Sequence, residues 1–403
     1  MKFGIFYEHQ LPRPWSEDDE HRLYREALDQ VELADDLGID YVWEVEHHFL
    51  EEYSHSSAPE VFLAAAAQRT SDIRIGHGIK LMPPAYNPPA RVAEQVATLD
   101  LVSDGRVEWG TGESASSIEL DGFGVPQADK FDMWRECTEQ VANMMTMEPY
   151  PGYAGDYVEI PPRNVVPKPV QDPHPPMWMA CSSREMIGVA ARHGIGALCF
   201  AFADPEEAEE WVEFYHETFE SECVPIGHDV NPQVAMVTGF SCHPDGDVAY
   251  ERGAEGFAFF QFALGHYYVT GGHEPGRTDI WERFQEFGGV EAFEDEVVGS
   301  AIGTPDDLRE HLRGFEEAGV DQVIFIQQGG RNEHEHICES LGLFAEDVMG
   351  EFHDRHEQRE QEKRERLEPA IEAAMERKEP MEPAGEDEIP NVVPFDRDVA
   401  DYE

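Results

Sequence analysis

A chain of 403 residues, 41% of them hydrophobic, can bury one large core with additions. Its 84 Asp and Glu against 29 Lys and Arg give a net charge of −55, which excludes a nucleic-acid partner because no basic footprint remains to neutralise phosphates. No apolar run reaches the roughly 18 residues of a membrane span, and the six cysteines show no C-x-x-C spacing, so neither a disulfide framework nor a zinc site is expected.

Residues 2–7 read as a first strand, and 24–37 as an amphipathic helix stopped by Gly38. The run Tyr41-Val42-Trp43-Glu44-Val45 is a second strand, ending in Glu46-His47-His48. An Ala-rich helix over 59–69 follows, then a third strand over 73–81, closed by Pro83-Pro84. Pro89 opens a helix to 101 and 107–112 is the fourth strand, with a helix over 131–147 beyond it. Residues 149–176 are proline-rich and irregular. Strands follow at 177–181, 197–200, 233–240 and 322–326, with a helix at 205–219. Thr304 and Pro305 start a helix over 306–317 as N-cap and first residue. Eight strands alternating with helices specify an α/β (β/α)₈ TIM barrel over 1–350. Residues 270–300, between the last two strands, read as a lid-like insertion. The acidic tail, 351–403, reads as a charged helix to about 378 and then as disorder around Pro380, Pro383, Pro390 and Pro394.

Barrel enzymes keep their chemistry at the C-terminal strand ends, so His47 is the first catalytic candidate. An imidazole can donate a hydrogen bond and move a proton there. Period-two alternation puts Glu46 and His48 on the opposite face, where they can support a subunit contact or hold His47 in place; Glu46 joins His47 as a catalytic candidate. Adjacent strand residues cannot converge on one ion, so no metal site is expected at 46–48. After the fifth strand, Ser182, Ser183 and Arg184 at a helix start offer amides, hydroxyls and a guanidinium to an anion, or a simple N-cap. Cys181 reads as packed rather than nucleophilic. Glu333-His334-Glu335-His336 reads as a solvated face, and the aromatics from Phe257 to Tyr268 as core with one edge able to line a pocket.

Lys2-Phe3-Gly4-Ile5-Phe6, Gly38-Ile39-Asp40-Tyr41-Val42-Trp43, Glu46-His47-His48-Phe49, Ala97-Thr98-Leu99-Asp100, Ser103-Asp104-Gly105-Arg106 and Gly303-Thr304-Pro305, in this order, resemble the bacterial luciferase-like flavin monooxygenases. The resemblance implies reduced FMN supplied by a separate reductase, O₂ as co-substrate, a small and mainly apolar organic substrate, and a homodimer. It places His47 beside the flavin, a cis bulge or an ordinary strand glycine at Gly78-Ile79 behind the ring, Thr111 near the cofactor, and the flavin phosphate at Ala180, Cys181, Ser182, Ser183 and Arg184. Luciferases carry an arginine for the phosphate where this chain has Glu113, so Arg184 is expected to supply that charge. Two alternatives stand beside this reading: a deazaflavin-dependent hydride-transfer enzyme of the same superfamily, and a non-catalytic flavin-binding subunit. The spread of acids along the chain fits a halophile's salt-loaded cytoplasm, because about 1 M salt screens such charge within about 3 Å.

Overall fold

The computed structural model describes residues 1–200, 202, 204–385 and 387–391. Eight parallel strands close on themselves: β1 (Lys2–Tyr7), β2 (Tyr41–Glu44), β3 (Arg74–His77), β4 (Val107–Thr111), β5 (Met177–Cys181), β6 (Gly196–Cys199), β7 (Val234–Thr238) and β8 (Gln322–Ile326). β1 seals the barrel against β8, with Lys2 opposite Gln322 and Phe6 opposite Ile326. The expected TIM barrel is therefore present, strand for strand.

The strands are buried on both faces, and period two divides their side chains between two cores. Phe3, Ile5, Tyr7, Val42, Ile75, Met177 and Met179 belong to the outer core, packed against the helices. Phe6, Tyr41, Trp43, Trp178, Leu198, Val237 and Ile324 fill the interior. Trp43 and Trp178 meet edge-to-face at 5.4 Å, and both are buried. Gly76 and Gly196 make room for them, since a Cβ at either would lie 2.3 or 2.4 Å from an indole carbon. The interior is a packed floor, and the space for a ligand lies above it.

Several elements differ from the sequence reading. β3 stops at His77 because the Gly78 N–H donates to the Glu44 carbonyl while Lys80 donates to Gly110, which bulges the chain until Leu81 pairs with Gly112. The first helix begins at Asp19, with Asp19 accepting the Ser16 N–H. β7 ends at Thr238, and Phe240–Cys242 instead pairs with Ala301–Gly303 in a small separate sheet. Two short strands, Tyr153–Ala154 and Glu159–Ile160, punctuate the proline-rich excursion. The helix Ser117–Phe123 after β4 has no counterpart in the sequence reading, and only the aromatic half of the helix Gly246–Gly265 was legible.

The insertion folds as helices Ile280–Phe287 and Glu294–Val298 joined by a 3₁₀ turn. Trp281 and Phe284 pack on Phe259. The Glu52 carboxylate accepts the Ile280 and Trp281 N–H groups at 2.7 and 3.1 Å. Glu51 accepts the Gly276 N–H at 2.7 Å and pairs with His273 at 3.1 Å. The loop after His47 is thereby tied to the insertion.

The tail begins as the helix Gly350–Arg377, which lies under the barrel. Phe352 is buried and meets Phe3 edge-on at 5.6 Å, while its carbonyl accepts from the Met1 ammonium at 3.3 Å. Residues 379–385 carry no regular structure; Pro394, part of the stretch expected to be disordered, lies outside the described residues. No described helix is long and apolar enough to cross a membrane.

Truncating a buried Phe costs about 3–5 kcal/mol when its site cannot collapse. Phe352→Ala should therefore lower the stability of the whole barrel by that amount in denaturant titrations at constant high salt. A loss near zero would show the tail helix to be outside the cooperative unit.

Candidate active site

His47 lies three residues beyond β2, and its backbone N–H is pinned to the Ser56 carbonyl at 2.8 Å. Its ring is 5% exposed and sits between two carboxylates. Nδ1 donates to Glu119 Oε1 at 3.1 Å, and Nε2 lies 3.7 Å from Glu8 Oε1. The Tyr268 hydroxyl is 3.4 Å from each ring nitrogen. Glu119 is fixed from two further sides: it accepts the His48 N–H at 2.8 Å and the Ser114 hydroxyl at 3.0 Å. Glu8 accepts the Tyr53 hydroxyl at 3.0 Å.

Burial alone would push the His47 pKa down. The charges of Glu8 and Glu119 overcome that and raise it to about 9. Burial pushes the Glu8 carboxyl up to about 7, against the pull of His47 and of the hydrogen bonds from Tyr53 and Ser54. At neutral pH the site thus holds an imidazolium beside a carboxyl poised to gain or lose a proton. Such an array can donate to a developing negative charge and relay a proton.

These groups form one wall of a cavity of about 550 Å³ above the strand ends. Its apolar lining comes from Val45, Ile79, Leu81, Phe200, Phe260 and Leu264. Gly112, Ala115 and Ala180 also line it, and their small side chains leave room for a ring system. Ile79, Ala180, Cys181 and Ser182, expected near a cofactor, all line this space with His47.

Other expected residues lie elsewhere. Glu46 faces away: its carboxylate accepts the Leu81 N–H at 2.9 Å and Asn87 Nδ2 at 2.9 and 3.0 Å, and lies 3.4 Å from Lys80. Burial would raise its pKa, but these bonds and the one from His48 hold it at about 2, so it braces the loop rather than carrying protons. Thr111 is buried outside the cavity, where its hydroxyl donates to the Trp178 carbonyl and accepts from Trp134 Nε1, both at 3.0 Å. Gly78 sits behind the lining, and the cis peptides among the described residues all precede proline, so the Gly78-Ile79 bond is trans. Ser183 caps the helix Arg184–Arg192 by accepting the Met186 N–H at 3.4 Å. The Arg184 guanidinium lies over the Phe214 ring at 4.8 Å and 4.0 Å from Glu210, on the outer layer. It corrects the expected anion cradle: a long side chain on a helix's first turn stacked on the neighbouring helix cannot also reach the strand ends. What remains for an anion is Ser182 and the first amides of that helix. Glu113, whose acidity stood against phosphate, is paired with Lys130 at 2.8 Å.

Glu8, Glu119 and Tyr53 were not anticipated as site residues, and Tyr268 only as part of an aromatic edge able to line a pocket. Glu8 follows β1 directly, so the strand-end rule that found His47 also reaches it. Glu119 carries no local signal, because only the pairing of β2, β3 and β4 brings its helix to His47. Tyr268 sits in a π-helical turn, His266–Thr270, that ends the aromatic helix and turns its ring inward.

The luciferase-like monooxygenase family model matches residues 1–322. The oxygenase component of the flavin-dependent trigonelline monooxygenase of Acinetobacter baylyi is 23% identical over 371 residues, covering 87% of this chain and 96% of that protein. The solved monooxygenase RslO1 from Streptomyces bottropensis superposes with a TM-score of 0.69 at 24% identity, covering 87% of this chain and all of that one. An F420-dependent secondary alcohol dehydrogenase shares the fold at a TM-score of 0.65 and 18% identity, covering 86% and 98% of the two chains. The chain spans about half the length of two uncharacterized Sinorhizobium fredii proteins that it also matches, at 31% and 32% identity. With the family model covering most of the barrel, this chain belongs to the luciferase-like monooxygenase family.

Proposed function

We propose that this chain is the oxygenating component of a two-component flavin monooxygenase, using reduced FMN from a separate reductase and O₂ to oxygenate a small organic substrate. The observation that carries the reading is His47, held between Glu8 and Glu119 on the wall of a largely apolar cavity at the barrel's C-terminal face. A near-full-length match to a flavin-dependent oxygenase component supports it. So does the absence of any Lys or Arg from the cavity lining among the described residues, which leaves the ring region apolar.

Reduced FMN, when bound, supplies the two electrons that activate O₂. The chain's own groups do the rest. Ile79, Gly112 and Ala180 would hold the ring, and Ser182 with the free amides at the start of the helix Arg184–Arg192 would hold its phosphate. His47 donates from the site as an imidazolium, and Glu119 fixes the direction of its ring. Glu46 holds the loop that carries His47. Phe200, Phe260 and Leu264 exclude water that would intercept a reactive oxygen species. We further propose a homodimer in the cytoplasm of a salt-adapted cell, on the composition and the family.

One observation favours a second reading. A carboxyl poised near neutrality beside an imidazolium also suits deazaflavin-dependent hydride transfer, where a substrate hydroxyl must lose a proton. Titration of the protein with FMN and with a deazaflavin, each followed by absorbance, separates the two. FMN binding with product carrying oxygen from ¹⁸O₂ supports the oxygenase; binding of the deazaflavin alone removes it.

His47→Gln should lower turnover by about 10²–10⁴-fold while FMN affinity changes little. Unchanged turnover in single-turnover kinetics would take His47 out of the mechanism. The wild-type kcat/KM should rise with pH through about 7, as Glu8 ionises, and fall through about 9, as His47 loses its proton. Glu8→Gln should erase the lower limb and move the upper one to lower pH, since the charge of Glu8 helps raise His47; a profile that keeps the lower limb would assign it elsewhere.

A further inference from the structure

Two carboxylate oxygens in the cavity wall accept no hydrogen bond from the protein although both are shielded: Oε2 of Glu8 and Oε2 of Glu113. Their sister oxygens are committed. Glu8 Oε1 holds the Tyr53 hydroxyl at 3.0 Å and lies 3.7 Å from His47, and Glu113 Oε1 holds Lys130 at 2.8 Å. A buried acceptor without a donor is costly, and a native site keeps one where a ligand supplies the donor. On the facing walls Phe200, Phe260, Leu264 and Val269 are apolar, the lining side chains Gln261, Ser114 and Ser182 donate to neither oxygen, and among the described residues no Lys or Arg lines the space. The cavity therefore presents an apolar body-shaped volume with an acceptor at its wall.

We propose that the substrate has an apolar body and a single cationic or N–H-donating head, an ammonium or a charged nitrogen heterocycle, with the head seated on the free oxygen of Glu8. This deepens the flavin-oxygenase reading of the same cavity and rests on it. Carboxylate substrates are disfavoured, since Glu8 and Glu113 would repel them. The head's charge is compatible with the imidazolium of His47 because Glu8 lies between them and Glu119 holds the far ring nitrogen. The groups facing Glu8 are His47 from the end of β2, Tyr53 from the loop after it, Glu119 from the helix Ser117–Phe123, and Tyr268 from the turn after the aromatic helix. Burial pushes both tyrosines well above their ordinary values and His47 stays charged to about 9, which leaves Glu8, at about 7, to titrate near neutrality. A cation on Glu8 favours its ionised form, so cation affinity must rise as pH passes upward through that value.

The test is calorimetry on the full chain loaded with oxidised FMN in high salt, with three probes of one shape: benzylammonium, benzyl methyl ether and benzoate. Benzylammonium should bind at least about tenfold more tightly than either of the others. Its affinity should climb from about pH 6 to about pH 8 while that of the ether stays flat. In Glu8→Gln the preference should vanish with the ether's affinity intact. Equal binding of the three probes, a pH-independent preference, or a preference that survives Glu8→Gln would overturn the proposal, and the wild-type pH series decides it even if that variant does not fold. If neither FMN nor a deazaflavin loads at all, the flavin reading itself fails, which is a distinct result from loaded protein that ignores the head's charge.

Discussion

An imidazole clamped between two buried carboxylates, one of them fully hydrogen-bonded and the other left with a free oxygen, is the constraint around which this barrel's upper end is arranged. Glu119 cannot move without breaking bonds to His47, to the His48 amide and to the Ser114 hydroxyl. Three elements, the end of β2, the loop after β4 and the helix Ser117–Phe123, are thereby locked to one carboxylate. Glu8 is held more loosely, through Tyr53 and the edge of His47, and faces the cavity. The asymmetry separates the roles: one acid orients, and the other is free to exchange a proton or meet a ligand.

That arrangement needs a rigid base and a closed roof. The base is the interior stack of Trp43 and Trp178, which fits only because glycines stand opposite both indoles. The roof is the aromatic helix Gly246–Gly265 and the insertion packed on it through Trp281 and Phe284. Glu51 and Glu52, four and five residues after His47, bind the insertion's backbone. The segment that shelters the cavity and the segment that carries the imidazole therefore share their anchors, and a shift in one is felt by the other.

Much of this was legible in the sequence because it is written locally. Short apolar-rich runs gave the eight strands, Gly38 and the Thr304-Pro305 pair gave helix boundaries, and a carboxylate and two histidines at a strand end marked the active face. What escaped depends on contacts between elements distant in sequence. Glu119 sits 72 residues from its partner His47, and nothing near it in sequence distinguishes it from a surface glutamate. Arg184 had the right neighbours in sequence and the wrong direction in space, because a helix's first turn can send a long side chain to either layer and Phe214 offered it a ring. The bulge at 78–80 was one of two expectations for Gly78-Ile79, but the strand end at His77 was missed because an apolar pattern continues through residues whose hydrogen bonds have shifted register.

The charge of the chain gives the remaining step. With bases so scarce, their placement is informative, and one cluster lies on the tail helix: Arg355 pairs with Glu316 and Glu351, Lys363 with Asp321, and Arg366 with Glu220. Each such pair is worth little when exposed, at most about 1 kcal/mol, and salt weakens it further. The same salt relieves the mutual repulsion of the acids spread over the rest of the surface. These two effects oppose each other at the underside of the barrel. The helix's attachment under salt must then rest on the contacts that salt does not screen, the burial of Phe352 against Phe3 and of Leu367 and Ala374 beneath the barrel. Hydrophobic burial strengthens as kosmotropic salt is added, so an acidic protein that anchors its tail by an aromatic contact gains from the conditions that weaken its ion pairs.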